Sequence, residues 1–303
     1  MIPDIHKIIY RHITGIKDKL WKEGENLKEF KKLNLHKILE PMFTEIVEIF
    51  LLGGSEEKLE IEGHNLTEYL MLTKTSLNKA RFSLLNFMSG GYLARQTWFP
   101  RNWEGIKMKK KVQDLAMGLY NDRLKSGPAK GLNIIDLIIE ENKTLPEEEK
   151  WSDDEIVGSV AFFQVAGADT TQFTIANLVH YISNNQKAQD DLREATKDIR
   201  GLKVKAEDFE KSEFLNAAIQ EVMRLCGSAP IAFPKLVKKS FRMGEYSFRK
   251  GDLIHMPLTL KARDERFFED PLTFKARRFL EKNEKARPVD NIPFSTGHRN
   301  CIG

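Results

Sequence analysis

Two cysteines in 303 residues, Cys226 and Cys301, are too few for the disulfide framework of a small secreted scaffold. No positively charged and then apolar leader opens the chain, so an intracellular, reducing compartment is expected. An excess of one charge is also lacking. The 48 basic residues stand against 44 acidic ones, and a net charge of +4 gives no nucleic-acid surface, so no nucleic-acid partner is expected. KMKKK, Lys107–Lys111, is the one locally basic run. A glycine-rich dinucleotide fingerprint is absent, which leaves the chain without a nicotinamide site of its own. Internal repeats and low-complexity tracts are absent too. Long apolar runs are rare: from Ile156 to Gln186 the only formally charged side chain is Asp169, and a run of that length would cross a bilayer. Its composition argues otherwise, because Gln164, Thr170, Thr171, Gln172, Thr174, Asn177 and His180 would carry many polar groups into lipid. A helix buried inside a folded domain is expected instead.

What is present divides into a helical half and a mixed half. Residues 1–150 read as charge-rich amphipathic helices broken by turn signals at Gly53-Gly54-Ser55, Gly90-Gly91 and Ser126-Gly127-Pro128. TWFPRNW, Thr97–Trp103, reads as a loop, either capping the core or touching a membrane surface. Ser152-Asp153-Asp154-Glu155 is a capping box, and the helix it opens runs to about Asn184. At 1.5 Å per residue it spans roughly 50 Å, long enough to thread one large domain. Gln186–Arg200 reads as an exposed amphipathic helix and Phe214–Cys226 as a buried one. Lys235–Leu260 alternates like short strands, with hairpin turns at Gly244-Glu245 and Lys250-Gly251-Asp252. The expected fold is mainly α, with a long central helix and a small β-sheet region near the C-terminal end. The expected organisation is a single domain over 1–303, in which 151–303 carries the core.

Three constellations carry chemistry. In FSTGHRNCIG, Phe294–Gly303, the Cys301 thiolate is a soft ligand, Gly297 and Gly303 let backbone approach something flat, and Arg299 offers a fork to a carboxylate. A cysteine-held haem has those needs; an ordinary buried thiol and a His298–Cys301 zinc pair are the alternatives. In AGADTT, Ala166–Thr171, a lone Asp169 in an apolar helix is costly unless solvated or hydrogen-bonded, so it serves either a function or a self-satisfying polar cluster. In EVMR, Glu221–Arg224, opposite charges sit three apart among apolar neighbours, so the pair is expected to be buried and to need a further partner.

Taken together these segments resemble the cytochrome P450 family. FSTGHRNCIG is similar to its haem signature at all five fixed positions, Phe294, Gly297, Arg299, Cys301 and Gly303. The resemblance makes Cys301 the axial iron ligand and Arg299 a partner of a haem propionate. AGADTT resembles the family's oxygen-binding motif, with Ala166 and Gly167 as the small pair beside the haem and Asp169 and Thr170 as the acid and alcohol. The family's E-x-x-R pair is completed by an arginine from a later P-x-R-F segment. Here that segment reads Ala276-Arg277-Arg278-Phe279, keeping the arginine at Arg278 and replacing the proline. PIAFPK, Pro230–Lys235, resembles a substrate-facing strand, with Lys235 where many members place an arginine for the second propionate. The implied substrate wall is Phe162, Phe163, Ala166, Ile231, Ala232 and Phe233.

The resemblance covers 152–303 in motifs and 30–145 in pattern. Complete members are considerably longer, so the chain reads as a fragment lacking the amino-terminal region and the segment after Cys301. It implies a haem-thiolate monooxygenase acting on a small lipophilic substrate with dioxygen, its electrons coming from NADPH or NADH through a reductase partner. A non-enzymatic or inactive haem-binding fragment, and a family isomerase or dehydratase, are the alternatives. Membrane association, at the endoplasmic reticulum, would follow from an anchor in the region before residue 1.

Overall fold

The computed structural model describes residues 2–23, 34–53, 60–65, 68–69, 72–73, 75–76, 88, 96–128, 133–199, 205–230, 235–280, 290–298 and 300–303. The expectations for Gly54-Ser55, Gly90-Gly91, Arg200, Ile231, Ala232, Phe233 and Arg299 lie outside the described residues. The chain forms two compact units, Pro3–Asp169 and Thr170–Gly303.

In the first unit, α1 spans Ile2–Glu23 and α2 spans Leu35–Leu52. The Asn34 side chain accepts from the Lys37 amide at the start of α2, and Gly53 ends it at φ 78° by donating to the Ile49 carbonyl. The Gly53 turn signal is thus a left-handed helix terminus, where a Cβ would be strained. A short hairpin follows, β1 Glu60–Ile61 and β2 His64–Asn65, in register Ile61↔His64. Its two central residues, Glu62 and Gly63, both have positive φ, 54° and 77°, the twist that two-residue hairpins favour. Strands of two residues are too short to show alternation, and the sequence reading does not contain them.

Helix α3 covers Pro100–Ser126 and corrects the expected loop at Thr97–Trp103 from Pro100 onward, while Thr97–Phe99 form a turn. Pro100 takes the first helical position, where its missing N–H costs nothing and its fixed φ favours helix. Helix α4 covers Ile134–Thr144, capped by Asn133, whose side chain accepts from the Asp136 amide. The long helix, α5, covers Asp153–Ser183, about 46 Å at 1.5 Å per residue. Its capping box forms: the Ser152 amide donates to Glu155 Oε2 over 2.9 Å, and the Glu155 amide to Ser152 Oγ over 3.4 Å. Ala116 and Tyr120 of α3, Ile135 and Ile139 of α4, and Ile156, Val157 and Val160 of α5 make one core. Tyr120 donates its hydroxyl to Asp153 Oδ1 over 2.8 Å, and burial together with that carboxylate pushes the phenol up to about 12.

The long helix is not buried on nearly every side, as the sequence suggested. Ile156, Val157, Val160, Ala168 and Gln172 are buried, but Phe162, Phe173 and Val179 are exposed. Apolar composition says how much of a helix can be covered; neighbours decide how much is. Among the described residues no helix is long and apolar enough to cross a membrane.

In the second unit, α6 covers Gln186–Ala195 and α7 Ala206–Glu210, while α8, Glu213–Leu225, is the buried helix that the sequence placed at Phe214–Cys226. Helix α6 stops short of Arg200. The Thr196 amide and hydroxyl both bond the Leu192 carbonyl, at 3.0 and 2.8 Å, and the chain turns away. Ala188, Phe214, Ala218, Val222, Leu225, Phe274 and Ala276 form the core here. Strands β4 Phe241–Met243 and β5 Tyr246–Phe248 form the expected hairpin around Gly244, φ 58°. The second expected hairpin does not form. Lys250-Gly251-Asp252, with Gly251 at φ 99°, leads from β5 into β6, Leu253–Ile254, whose partner is β3, Lys235–Leu236. A turn signal marks where the chain bends and not which strand it returns to.

The cap at the head of α6 gives a direct test. The Asn185 side chain accepts from the Ala188 amide over 3.0 Å. Asn185→Ala should lower stability by about 1 kcal/mol in urea unfolding, and Asn185→Asp should restore most of it. An unchanged midpoint for the alanine variant would show that this cap contributes nothing.

Candidate haem-thiolate site

The Phe294–Gly303 loop is held by its own backbone. The Ser295 amide donates to the Ile292 carbonyl, the Asn300 amide to the Gly297 carbonyl over 3.1 Å, and the Cys301 amide to the Phe294 carbonyl over 2.9 Å. The last bond closes the loop between its aromatic start and its thiol. Gly297 bends the chain at φ 86°, a conformation that L side chains rarely adopt, so glycine is required there by the backbone. Cys301 is a free, exposed thiol whose Sγ lies 3.1 Å from the Gly303 carbonyl. Phe294 is exposed, and nothing lies within 4 Å of where a Cβ on Gly297 or Gly303 would stand.

The Glu221–Arg224 pair is fully buried, both side chains at 0% exposure. Arg224 donates Nε to Glu221 Oε2 over 2.8 Å and Nη2 to Oε1 over 2.9 Å, a two-point pairing that only a planar guanidinium can make. Its Nη1 donates to the carbonyls of Ala262 and Pro271, at 2.6 and 2.7 Å, and the group lies 5.0 Å over the Phe268 ring. Arg278 comes to the same carboxylate, Nε to Glu221 Oε1 over 3.1 Å, and its Nη1 donates to the Glu269 carbonyl over 2.7 Å. The Lys275 amide also donates to Glu221 Oε1, over 2.9 Å. Ala276 in place of a proline therefore does not keep Arg278 away; Ala276–Phe279 forms a short 3-10 turn that carries it inward. The cluster ties Ala262–Arg278 onto α8. The carbonyls of Ala262, Glu269 and Pro271 are the participants the sequence did not reveal, since any residue type supplies one.

Ala166–Thr171 lies within α5, which continues without a break. Ala166 is half-buried, and a Cβ on Gly167 would meet Val47 Cγ2 at 3.5 Å, an ordinary contact. Asp169 is half-exposed and stands 3.8 Å from His36 Nε2 at the start of α2, an ion-pair distance when the imidazole is protonated. Nothing in the sequence singles out His36. Thr170 is exposed, and its carbonyl accepts from Thr174 Oγ1 over 2.9 Å. Phe162 is exposed and Phe163 half-buried, their rings 6.5 Å apart and tilted. Lys235 is exposed on β3, opposite Ile254. Asp169 falls in the first unit; Thr170, Lys235 and Cys301 fall in the second.

The donor chemistry fits a haem. Among the described residues no three histidine, cysteine or acidic side chains gather where they would hold a metal ion, so the His298–Cys301 zinc pair finds no further ligands there. A haem brings four nitrogen donors and asks the protein for one axial ligand, and Cys301 offers a free thiol on a backbone-braced loop.

Known proteins agree in sequence and in fold. The Cytochrome P450 family model matches residues 6–303. Cytochrome P450 98A2 of Glycine max is 31% identical over 185 residues, 60% of this chain and 35% of that protein. Geraniol 8-hydroxylase of Swertia mussotii is 29% identical over 199 residues, 64% of this chain and 40% of that one. Cytochrome P450 4V2 of Rattus norvegicus is 31% identical over 205 residues, 66% and 38%. The chain thus spans between 35% and 40% of the length of these three relatives. The retinoic acid-bound cyanobacterial CYP120A1 structure superimposes with a TM-score of 0.73 at 14% identity, over 99% of this chain and 62% of that one, a likeness of fold.

Proposed function

The chain belongs to the cytochrome P450 family, and from that membership we propose that it serves a haem-thiolate monooxygenase, inserting one atom of dioxygen into a lipophilic organic substrate and releasing the other as water. The observation that carries the reading is the Phe294–Cys301 loop, closed by its own hydrogen bonds around a free thiol. Relatives named as hydroxylases, such as the Swertia mussotii protein, support the reaction class. Electrons would come from NADPH or NADH through a reductase.

In this reading Cys301 Sγ would hold the haem iron, and Arg299 and Lys235 would carry the cations that pair with the haem carboxylates. When bound, the haem supplies the activation of dioxygen and the path for its electrons. The chain's own residues do the rest. Glu221, Arg224 and Arg278 hold the polypeptide around Ala262–Arg278 in one arrangement. Thr170 Oγ1 would hold a proton for delivery and Asp169, taking up a proton and passing it on as the carboxylic acid, would replenish it, within reach of His36. Phe162, Phe163, Ala166, Ile231, Ala232 and Phe233 exclude water and receive the apolar substrate.

The proton roles are tested with a reductase and a turned-over substrate in the haem-loaded protein. Thr170→Ala should keep cofactor and oxygen consumption but divert much of it to hydrogen peroxide, and Asp169→Asn should slow turnover on the order of 100-fold, the low end of the range usual for proton transfer by a positioned group. Unchanged coupling in the first variant and unchanged rate in the second would reduce the pair to packing residues.

A further inference from the structure

The Phe294–Cys301 loop is braced inside and bare outside. Its own backbone bonds set its shape, yet Phe294, Thr296, Gly297, His298, Asn300 and Cys301 are exposed, so packing of these side chains does little to hold it in place. Ser295 stands at φ 63°, a left-handed conformation that a residue with a Cβ keeps only when its surroundings impose it. The loop must therefore be held at its root, and there burial rises steeply. Asn291, Ile292 and Pro293 are half-buried, and Asp290 is 1% exposed. A carboxylate so deep is costly unless a cation and hydrogen bonds meet it.

Lys261 meets it. Its Nζ lies 2.5 Å from Asp290 Oδ1, and the ammonium stands 4.9 Å over the Phe267 ring, so the long side chain is held between a carboxylate and an aromatic face. The ring restricts the side chain before the pair forms, and less rotamer freedom is lost in forming it. Lys261 belongs to the short helix Leu258–Ala262, and the carbonyl of the next residue, Ala262, accepts from Arg224 Nη1 over 2.6 Å. The buried Glu221–Arg224 pair thus fixes the helix end that carries Lys261, and Lys261 fixes the root of the cysteine loop. We propose that Lys261 and Asp290 form a latch that positions the Cys301 loop, so that the thiol is presented to the haem iron in one arrangement. The latch's service to a haem rests on the haem-thiolate reading, whereas its hold on the loop does not.

The test is hydrogen exchange on the full chain without haem, read at the Ser295, Asn300 and Cys301 amides, whose bonds close the loop, and at the amides in the middle of α8 for comparison. Lys261→Met keeps the stem and removes the charge. A pair with one buried and one half-exposed member is worth more than a surface pair and less than a fully buried one, so this change should speed exchange at the loop amides roughly tenfold to 100-fold while α8 exchange stays as in the parent. Lys261→Arg, which keeps the charge, should restore most of the protection. Asp290→Asn has nearly the same shape as the parent and guards against misfolding of the methionine variant; it should loosen the same amides. Added to Lys261→Met, it should contribute less than its own effect, since the pair is already broken. In the haem-loaded chain, the red-shifted Soret band that a thiolate gives in the ferrous, carbon monoxide-bound form should decay sooner in Lys261→Met than in the parent, and Lys261→Arg should bring its lifetime back. Loop exchange that is unchanged in Lys261→Met and Asp290→Asn, or that rises only in step with α8, would overturn the latch. A band equally long-lived in the parent and Lys261→Met would overturn its service to the haem. A parent chain without the band would overturn the haem reading instead, and the exchange rates alone would then decide whether the latch holds the loop.

Discussion

Cys301→Ser should abolish the strongly red-shifted Soret band of the ferrous, carbon monoxide-bound protein, and Cys226→Ser should leave it in place. The band reports a thiolate on the iron, and the two sulfurs differ in their freedom to supply one. Cys301 is exposed at the closed end of its loop. Cys226 ends α8, half-buried, with the Tyr181 hydroxyl 3.4 Å and Arg263 Nη2 3.9 Å from its sulfur. Tyr181 is itself stacked on Phe274 at 5.4 Å, and burial, followed by its bond to Cys226, raises its phenol to about 12. Oxygen in place of sulfur at Cys301 keeps the loop's backbone bonds, so the fold should persist while the band vanishes. Loss of the band in the Cys226 variant and its survival in the Cys301 variant would assign the ligand to the other sulfur.

Arg224→Ala should cost about 3–5 kcal/mol of stability, enough to unfold a marginal domain, because it takes the two-point bond from the fully buried Glu221 carboxylate and leaves Arg278 as its remaining cation among the described residues. Glu221→Ala should be equally severe, leaving the guanidinium of Arg224 against the carbonyls of Ala262 and Pro271 with no counter-charge. Arg278→Ala should be milder, because the two-point bond between Glu221 and Arg224 survives it. A double change to apolar residues of similar volume, Glu221→Leu with Arg224→Met, should cost less than the two single changes added together, since the buried pair leaves as a unit and Arg278 keeps its bond to the Glu269 carbonyl. Urea unfolding of the four variants reads these differences directly. A loss below about 1 kcal/mol for Arg224→Ala would mean that water reaches the pair and that it does not hold Ala262–Arg278 in place.

What the sequence by itself determined are the features whose hydrogen bonds close within a few residues. Gly53 ends a helix, Ser152 and Glu155 cap the long one, and Gly244 turns a hairpin. Each depends on one side chain or one positive φ reaching an amide or carbonyl at most four residues away, so the residue type and its spacing suffice. The Glu221–Arg224 spacing was legible for the same reason, since its bond spans three residues, whereas the cysteine loop was read from its resemblance to a family signature. Tertiary structure alone decided the rest. Arg224 reaches Pro271 across 47 positions, β6 pairs with β3 and not with β5, and His36 stands by Asp169. It also turned Phe99 inward and Trp98 outward, which composition treats alike. Such contacts require loops of tens of residues to close, and what repays that closure is burial shared by many side chains at once, a quantity that no short stretch of sequence contains.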